Sequence, residues 1–375
     1  MRIDAITSRL QALGAKPVHL QRLLRHWTHA IAFDQGKKRQ PEHWLPKAVR
    51  DALPDLAAEL GGLLRLQSQH PAADGSARLL LALADGQTVE AVLLPTGRNS
   101  GRTPGLCVSS QVGCAVGCGF CMTGVGGLQR QLGSAEIVAQ VALARGLRPV
   151  HKVVFMGMGE PAHNLDNVLD AISLLGTVGQ IGHKNLVFST VGDARAFERL
   201  RSLTKGDVRP ALALSLHTTD TALRERLLPR APRLSLQELV AQADAYARAS
   251  GYPVQYQWTL LAGVNDSAAE IDGIARLLAG RFGVLNLIPW NAVPGLDFAR
   301  PSWEHAADMA RQLHRRGVLT KLRHSAGQDV DAGCGQLRAR AGLGAAGVAS
   351  VVAMPSAAMP ARHVRPAAEN PAATG

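Results

Sequence analysis

The sequence predicts an α/β fold built on a parallel sheet, open or curled toward a barrel, and three observations carry that prediction. From Cys107 onward, seven short β-rich runs alternate with amphipathic helical stretches: LCVSS, HKVVFMG, NLVFSTV, ALALSLH, VQYQWTLL, VLNLIPW and LTKLRH. Repeated strand–helix units of this kind imply parallel strands. Several helical stretches open on a capping residue: Ser134 before AEIVAQVALARG, Ser235 with Glu238, and Ser267 with Glu270, the last two as capping boxes. Finally, polar and glycine residues gather where the strands end. The run SSQVGCAVGCGFC follows the first strand, Gly157-Met158-Gly159-Glu160-Pro161 the second, Ser189 and Thr190 close the third, Ser215 and His217 the fourth, and Trp290-Asn291 follows VLNLIP. In a parallel sheet the carboxyl ends of the strands carry function, so these five ends are expected to converge on one face.

Ahead of this core, residues 1–64 read as a small basic helical domain, since HLQRLLRHWTHAI alternates apolar and basic residues at helical spacing and LPKAVRDAL resumes the pattern after a break at QGKKRQPEHW. In 65–106, LLLALADGQTVEAVLLP joins two apolar runs at Asp85-Gly86, a β-hairpin signal that places Glu90 early in the second strand. The core is expected over 107–338. Beyond it, 339–375 is rich in Ala, Gly and Pro without sustained periodicity and reads as a disordered tail.

Composition bounds the function. The 375 residues allow one large domain with appendages or two ordinary ones, and 46% hydrophobic content suits a globular core. No apolar run approaches the roughly 18 residues that span a bilayer, and the start, MRIDAITSRLQ, lacks the apolar stretch of a secretory signal. The expected location is therefore the cytoplasm, with no membrane partner. Thiols stay reduced there, so cysteines are expected to serve metals or catalysis rather than structural bridges. The net charge of +12, from 41 basic and 29 acidic residues, attracts polyanions, of which nucleic acid is the commonest. With aromatics at only 4%, an RNA-binding sheet rich in stacking aromatics is not expected.

Cys114, Cys118 and Cys121 form C-x-x-x-C-x-x-C. A [4Fe–4S] cluster normally takes four thiolates, so three closely spaced ones leave one iron open to a ligand. A structural zinc ion would need a fourth donor, which here would have to be Cys107 or Cys334. Taken singly, Gly157 and Gly159 could make a turn, Ser189 a helix cap and His217 a packing contact. Together, beside a cluster, they describe a binding site.

Six of these motifs in the same order, LCVSSQVGCAVGCGFC, VVFMGMGEP, NLVFSTVG, ALALSLH, NLIPWN and DVDAGCGQL, resemble the radical S-adenosylmethionine (SAM) superfamily, and more narrowly its RlmN/Cfr family of RNA adenosine methyltransferases. The resemblance runs from about Val89 to Arg338. It implies a partial (βα)6 barrel carrying a [4Fe–4S] cluster on Cys114, Cys118 and Cys121. The open iron would bind the amino and carboxylate groups of SAM, with Gly159 and Glu160 at the amino end. Ser189, Ser215, Leu216, His217 and Asn291 would contact the rest of the cofactor. Cys334 corresponds to the family's methyl-carrying cysteine, Cys107 to its partner thiol, and Glu90 to the glutamate assigned as proton acceptor. Many family members carry a lysine where this chain has Val125 and an arginine where it has Ala326.

The implied reaction explains those residue types. Carbon 2 of adenine is too electron-poor to attack a sulfonium, so one SAM methylates the Cys334 thiolate by displacement. A second, reduced through the cluster by an electron donor such as flavodoxin, yields a radical that takes a hydrogen from the methylated cysteine. The methylene radical adds to adenine, a base removes the ring proton, and Cys107 attacks the Cys334 sulfur, leaving a transient Cys107–Cys334 disulfide. The substrate implied is adenosine in 23S ribosomal RNA, transfer RNA or both. Methylation at carbon 8 is the near alternative, and a non-catalytic zinc-containing RNA-binding protein the distant one.

Overall fold

Residues 1–33, 44–95 and 103–338 are described by the computed structural model. The segments 34–43 and 96–102 and the expected tail at 339–375 lie outside the described residues. Seven strands form the parallel array: β4 (Gly105–Cys107), β7 (Lys152–Phe155), β8 (Leu186–Thr190), β9 (Ala211–Ser215), β10 (Val254–Leu260), β11 (Gly283–Pro289) and β12 (Thr320–Leu322). They pair in that order, each neighbour parallel, and coincide with the seven β-rich runs. A separate two-stranded ribbon, β5 (Gln111–Gly113) against β6 (Leu128–Gln131), follows β4.

The period-2 geometry of a strand divides these residues between two surroundings. Val153 and Phe155, Leu186 and Phe188, and Leu212 and Leu214 face the main core beneath the outer helices. Their alternates, Val154, Val187, Ala211 and Ala213, form a thin apolar lining on the inner face. Small inner side chains leave a well in place of a filled barrel.

The outer layer comprises α5 (Ser134–Leu147), α6 (Leu165–Gly176), α7 (Ala194–Arg201), α8 (Thr221–Leu227), α9 (Leu236–Ser250), α10 (Ala268–Leu278) and α11 (Trp303–Arg315). Ser235 and Glu238 cap α9 reciprocally, as expected. Two other caps differ. Helix α5 is capped at Gly133, whose N–H donates to Glu136 at 2.7 Å, because the Ser134 hydroxyl is taken by the N–H of Ile3 at 2.9 Å. Ser267 caps α10 alone, because the Glu270 carboxylate turns inward to the Thr218 hydroxyl and to the Thr219 N–H at 2.7 Å.

The amino-terminal helices α1 (Ile3–Ala12), α2 (Pro17–Thr28), α3 (Lys47–Asp51) and α4 (Leu53–Gly62) share the barrel's hydrophobic core. Leu20, Leu23, Leu24 and Trp27 fall on one stripe of α2 and are buried in the same core as Ile137, Val138 and Val141 of α5. Arg145 of α5 donates to the Thr28 carbonyl at 2.8 Å.

The expected hairpin is part of a three-stranded meander, β1 (Leu64–Pro71), β2 (Ala77–Leu83) and β3 (Thr88–Leu93). It extends the main sheet, because β3 pairs antiparallel with β4 at Val92↔Cys107. Strand β1 carries no apolar run. LRLQSQHP alternates toward solvent along an edge, a pattern too polar to read as a strand. Among the described residues no helix is long and apolar enough to cross a membrane.

Candidate active site

The three-cysteine loop hangs between β5 and β6 and is closed at its base, where the Cys114 N–H donates to the Gly127 carbonyl at 3.0 Å. An apolar collar of Val116, Phe120, Leu227 and Trp290 surrounds it. Two hydrogen bonds pin it: Gly119 N–H to the Leu227 carbonyl at 2.9 Å, and the Trp290 indole N–H to the Phe120 carbonyl at 3.1 Å. Burial pushes the Cys114 thiol up to about 12 and raises Cys121, and it lifts Cys118 well above its ordinary value, with the charges of Cys121 and Cys114 next in effect. Three thiolates so placed require a positive centre that binds all of them. The three cysteines line one cavity, and three thiolates bound to a [4Fe–4S] cluster leave one iron open to a ligand.

That cavity, of about 150 Å³, is lined by Cys114, Cys118 and Cys121 together with Gly159, Glu160, Ser189, Ser215, His217 and Cys334. Strand parity explains the membership. Ser189 continues the inward row of Val187, and Ser215 that of Ala211 and Ala213. Leu216 falls on the opposite parity and packs fully buried in the core, so its side chain does not face the well. Gly159, at φ +106°, has no room for a side chain: an added Cβ would lie 2.7 Å from Cβ of Gln111.

Glu160 is buried and accepts from the N–H groups of Ala162 and Val191, each at 3.0 Å. Burial outweighs these bonds and raises its carboxyl to about 7. It is poised to ionise when a cation arrives. His217, with the uncommon φ of +64°, accepts at Nδ1 from the Thr259 N–H at 3.0 Å, and burial lowers it to about 3. It is therefore neutral, with its proton on Nε2. Sequence reasoning did not single out Arg224 of α8. It is buried, donates to the carbonyls of Val191 at 2.5 Å and Ser215 at 3.2 Å, and feels the charges of Cys118 and Glu160. Its Nε has no partner among the described residues.

A second cavity, of about 500 Å³, continues from the first; Cys121, Thr123, Met156 and Cys334 line both. Cys107 and Cys334 both line it. Burial drives the Cys107 thiol far above its ordinary value, with Cys334 as the next cause. Cys334 keeps accessible surface within the well, yet burial and then Cys121 raise its thiol, opposed by Arg323. All five cysteines are free thiols.

The turn carrying Cys334 is tied down on every side. The Gly335 carbonyl accepts from the Met122 N–H at 2.8 Å, and the Leu337 carbonyl from the Thr123 hydroxyl at 2.7 Å, so the turn is stitched to the cluster loop. Asn291 Nδ2 donates to the Cys334 carbonyl at 3.1 Å and to Ser325 Oγ at 2.9 Å. Asn291 is buried beside the turn, and its Oδ1 has no partner among the described residues. Glu90 lies outside both cavities. It is buried, ion-paired with Arg78, and accepts from the Arg338 N–H at 2.7 Å.

Comparison with known proteins accords with this geometry. Residues 108–278 match the family model described as the radical SAM superfamily. A "probable RNA methyltransferase" of Methylibium petroleiphilum is 69% identical over 341 residues, covering 91% of this chain and 94% of that one. Another, from Thiobacillus denitrificans, is 64% identical over 368 residues and covers 98% of each chain. Among solved structures, a radical SAM methyltransferase from Sphaerobacter thermophilus superposes with a TM-score of 0.77 at 34% identity, covering 90% of this chain and 98% of that one. The donor set fits the cofactors of such enzymes, a [4Fe–4S] cluster and SAM. The chain belongs to the radical SAM superfamily and, within it, to the RlmN/Cfr family that its motifs resemble.

Proposed function

We propose that this protein methylates carbon 2 of adenosine in ribosomal RNA, transfer RNA or both, through a methyl group carried on Cys334. The observation that carries the reading is one continuous well: the cluster cysteines lie at one end, and Cys107 and Cys334 line the other. When bound, the cluster and SAM supply a transferable methyl group and a 5′-deoxyadenosyl radical.

The chain's own residues do the rest. Glu160 holds the cofactor's ammonium, and the Nε2–H of neutral His217 faces the same pocket as a donor. Cys334 accepts the methyl as a thiolate, and Arg323 favours that form. Cys107 lines the well and can reach the Cys334 sulfur, releasing product and forming a transient disulfide. Its thiol stays protonated until a partner takes the proton, because burial disfavours the thiolate. Glu90, which the resemblance names as proton acceptor, lies outside both cavities and bears on the site through the Cys334 turn that it anchors. The excess positive charge and the names of the curated relatives support RNA as the substrate.

The test is anaerobic reconstitution, reduction by flavodoxin, and mass spectrometry of nucleosides from ribosomal and transfer RNA. We expect 5′-deoxyadenosine and 2-methyladenosine. A protein with an intact cluster that methylates carbon 8 alone, or no RNA at all, would overturn the assignment.

A further inference from the structure

The second cavity reaches from β7 to β12, the edge strand of the sheet. Two cations line it from opposite sides: Lys152 at the start of β7 and Arg323 just beyond β12. A third, Lys321, sits in register with Asn286, which lines the same cavity. None of the three enters an ion pair among the described residues. Some other arginines near the outer helices do have carboxylate partners, including Arg248, Arg281 and Arg316. Lys152 is held below its ordinary value first by burial and then by Arg323 and Lys321. Uncompensated cations around a half-buried ammonium repel one another, and an incoming anion relieves that repulsion.

Beside them is an aromatic pair. His324, which lines the same cavity, stacks on Trp303 at 4.0 Å between ring centroids and 18° between planes. Trp303 opens α11 and is still 38% exposed. A tryptophan in a helix's first solvent-facing turn contributes little to the core, and Trp303 is not part of it. Phosphate-binding cations beside an accessible stacked aromatic are what single-stranded RNA requires: charge for the backbone and a π-face for a base.

We propose that this rim holds the RNA strand on either side of the target nucleotide, with Lys152, Lys321 and Arg323 on its phosphates and Trp303, backed by His324, stacking a neighbouring base. The inference rests on the RNA reading above and adds the site of strand capture.

The test measures binding of a short fluorescein-labelled RNA hairpin with adenosines in its loop, by anisotropy across a potassium chloride series, to the cluster-loaded protein. For Lys321→Gln combined with Arg323→Gln, the slope of log affinity against log salt should shrink by about 0.7 per cation removed. Trp303→Ala should weaken binding about 5- to 150-fold with the slope unchanged, and Trp303→Phe should recover most of the affinity. Cluster absorbance and 5′-deoxyadenosine formation without RNA should stay at the wild-type level in Trp303→Ala and in Lys321→Gln alone, which separates strand capture from folding. If the wild type binds the hairpin and all these variants bind it equally well with the same salt slope, the rim assignment is overturned while the RNA reading stands. If the wild type itself does not bind RNA, both fall.

Discussion

Arg338 donates its main-chain N–H to the Glu90 carboxylate at 2.7 Å, on the far side of the turn that carries Cys334. The other carboxylate oxygen pairs with Arg78, whose Nε donates to the Val330 carbonyl at 2.7 Å. One buried ion pair on β2 and β3 thus grips the cysteine turn at both its entry and its exit. Removing one partner of a buried pair costs about 3–5 kcal/mol because the other charge is left uncompensated. Arg78→Ala should lower unfolding stability by about that amount. Replacing Arg78 and Glu90 together with leucine should restore much of the stability, yet leave methyl transfer impaired because Arg338 and Val330 lose their anchors. Calorimetry and turnover on the same samples test this; full activity in the double variant would refute the anchoring role.

Cys107→Ala should accumulate a covalent RNA–protein adduct on Cys334, visible as a shifted band and by peptide mass spectrometry. The Cys107→Ala, Cys334→Ala double variant should form none. Both thiols line one cavity, so removing the attacking sulfur blocks only the release step. Normal multiple turnover by Cys107→Ala would rule out that role.

The Glu160 carboxyl is raised from 4.5 to about 7, chiefly by burial. The folded state therefore favours its protonated form, and the stability it contributes is complete below about 4.5 and lost as pH rises through about 7. Glu160→Gln should flatten that loss in thermal melts of the cofactor-free protein. A bound ammonium needs the ionised carboxylate, so SAM affinity should rise roughly tenfold per pH unit up to about 7 and then level off. Equilibrium dialysis at several pH values checks this, and a flat wild-type profile would count against Glu160 as the ammonium partner.

Asn291 carries a buried Oδ1 with no hydrogen-bond donor among the described residues. An unmet buried acceptor costs about 1–3 kcal/mol, which a donor on the cofactor would offset. Asn291→Ala should weaken SAM binding about tenfold and reduce methyl transfer further, because the Cys334 carbonyl also loses its tether. Cluster absorbance should remain. Unchanged SAM affinity would restrict Asn291 to positioning Cys334.

Much of the site was legible from strand parity and spacing. The inward row of Val187 and Ser189, and that of Ala213 and Ser215, follow from alternation once the strands are located. Leu216, between Ser215 and His217, turns its side chain to the core, because a strand turns successive residues to opposite faces. No local pattern in the sequence marks Arg224 or Trp303. Only the packing of α8 beneath the cluster loop and of α11 against His324 gives them partners.

The sequence by itself located the seven parallel strands and the C-x-x-x-C-x-x-C run, because these rest on local periodicity and fixed spacing, and its ordered motifs carried the family resemblance. The tertiary structure alone decided that Cys107, on β4, and Cys334, beyond β12, share one well. It also decided that Glu90 clamps the second cysteine's turn, and that cations on β7 and just beyond β12 line one cavity. Those relationships join residues far apart along the chain. They exist only when the sheet curls and the carboxy-terminal turn folds back onto the cluster loop, and no local pattern in the sequence encodes that closure.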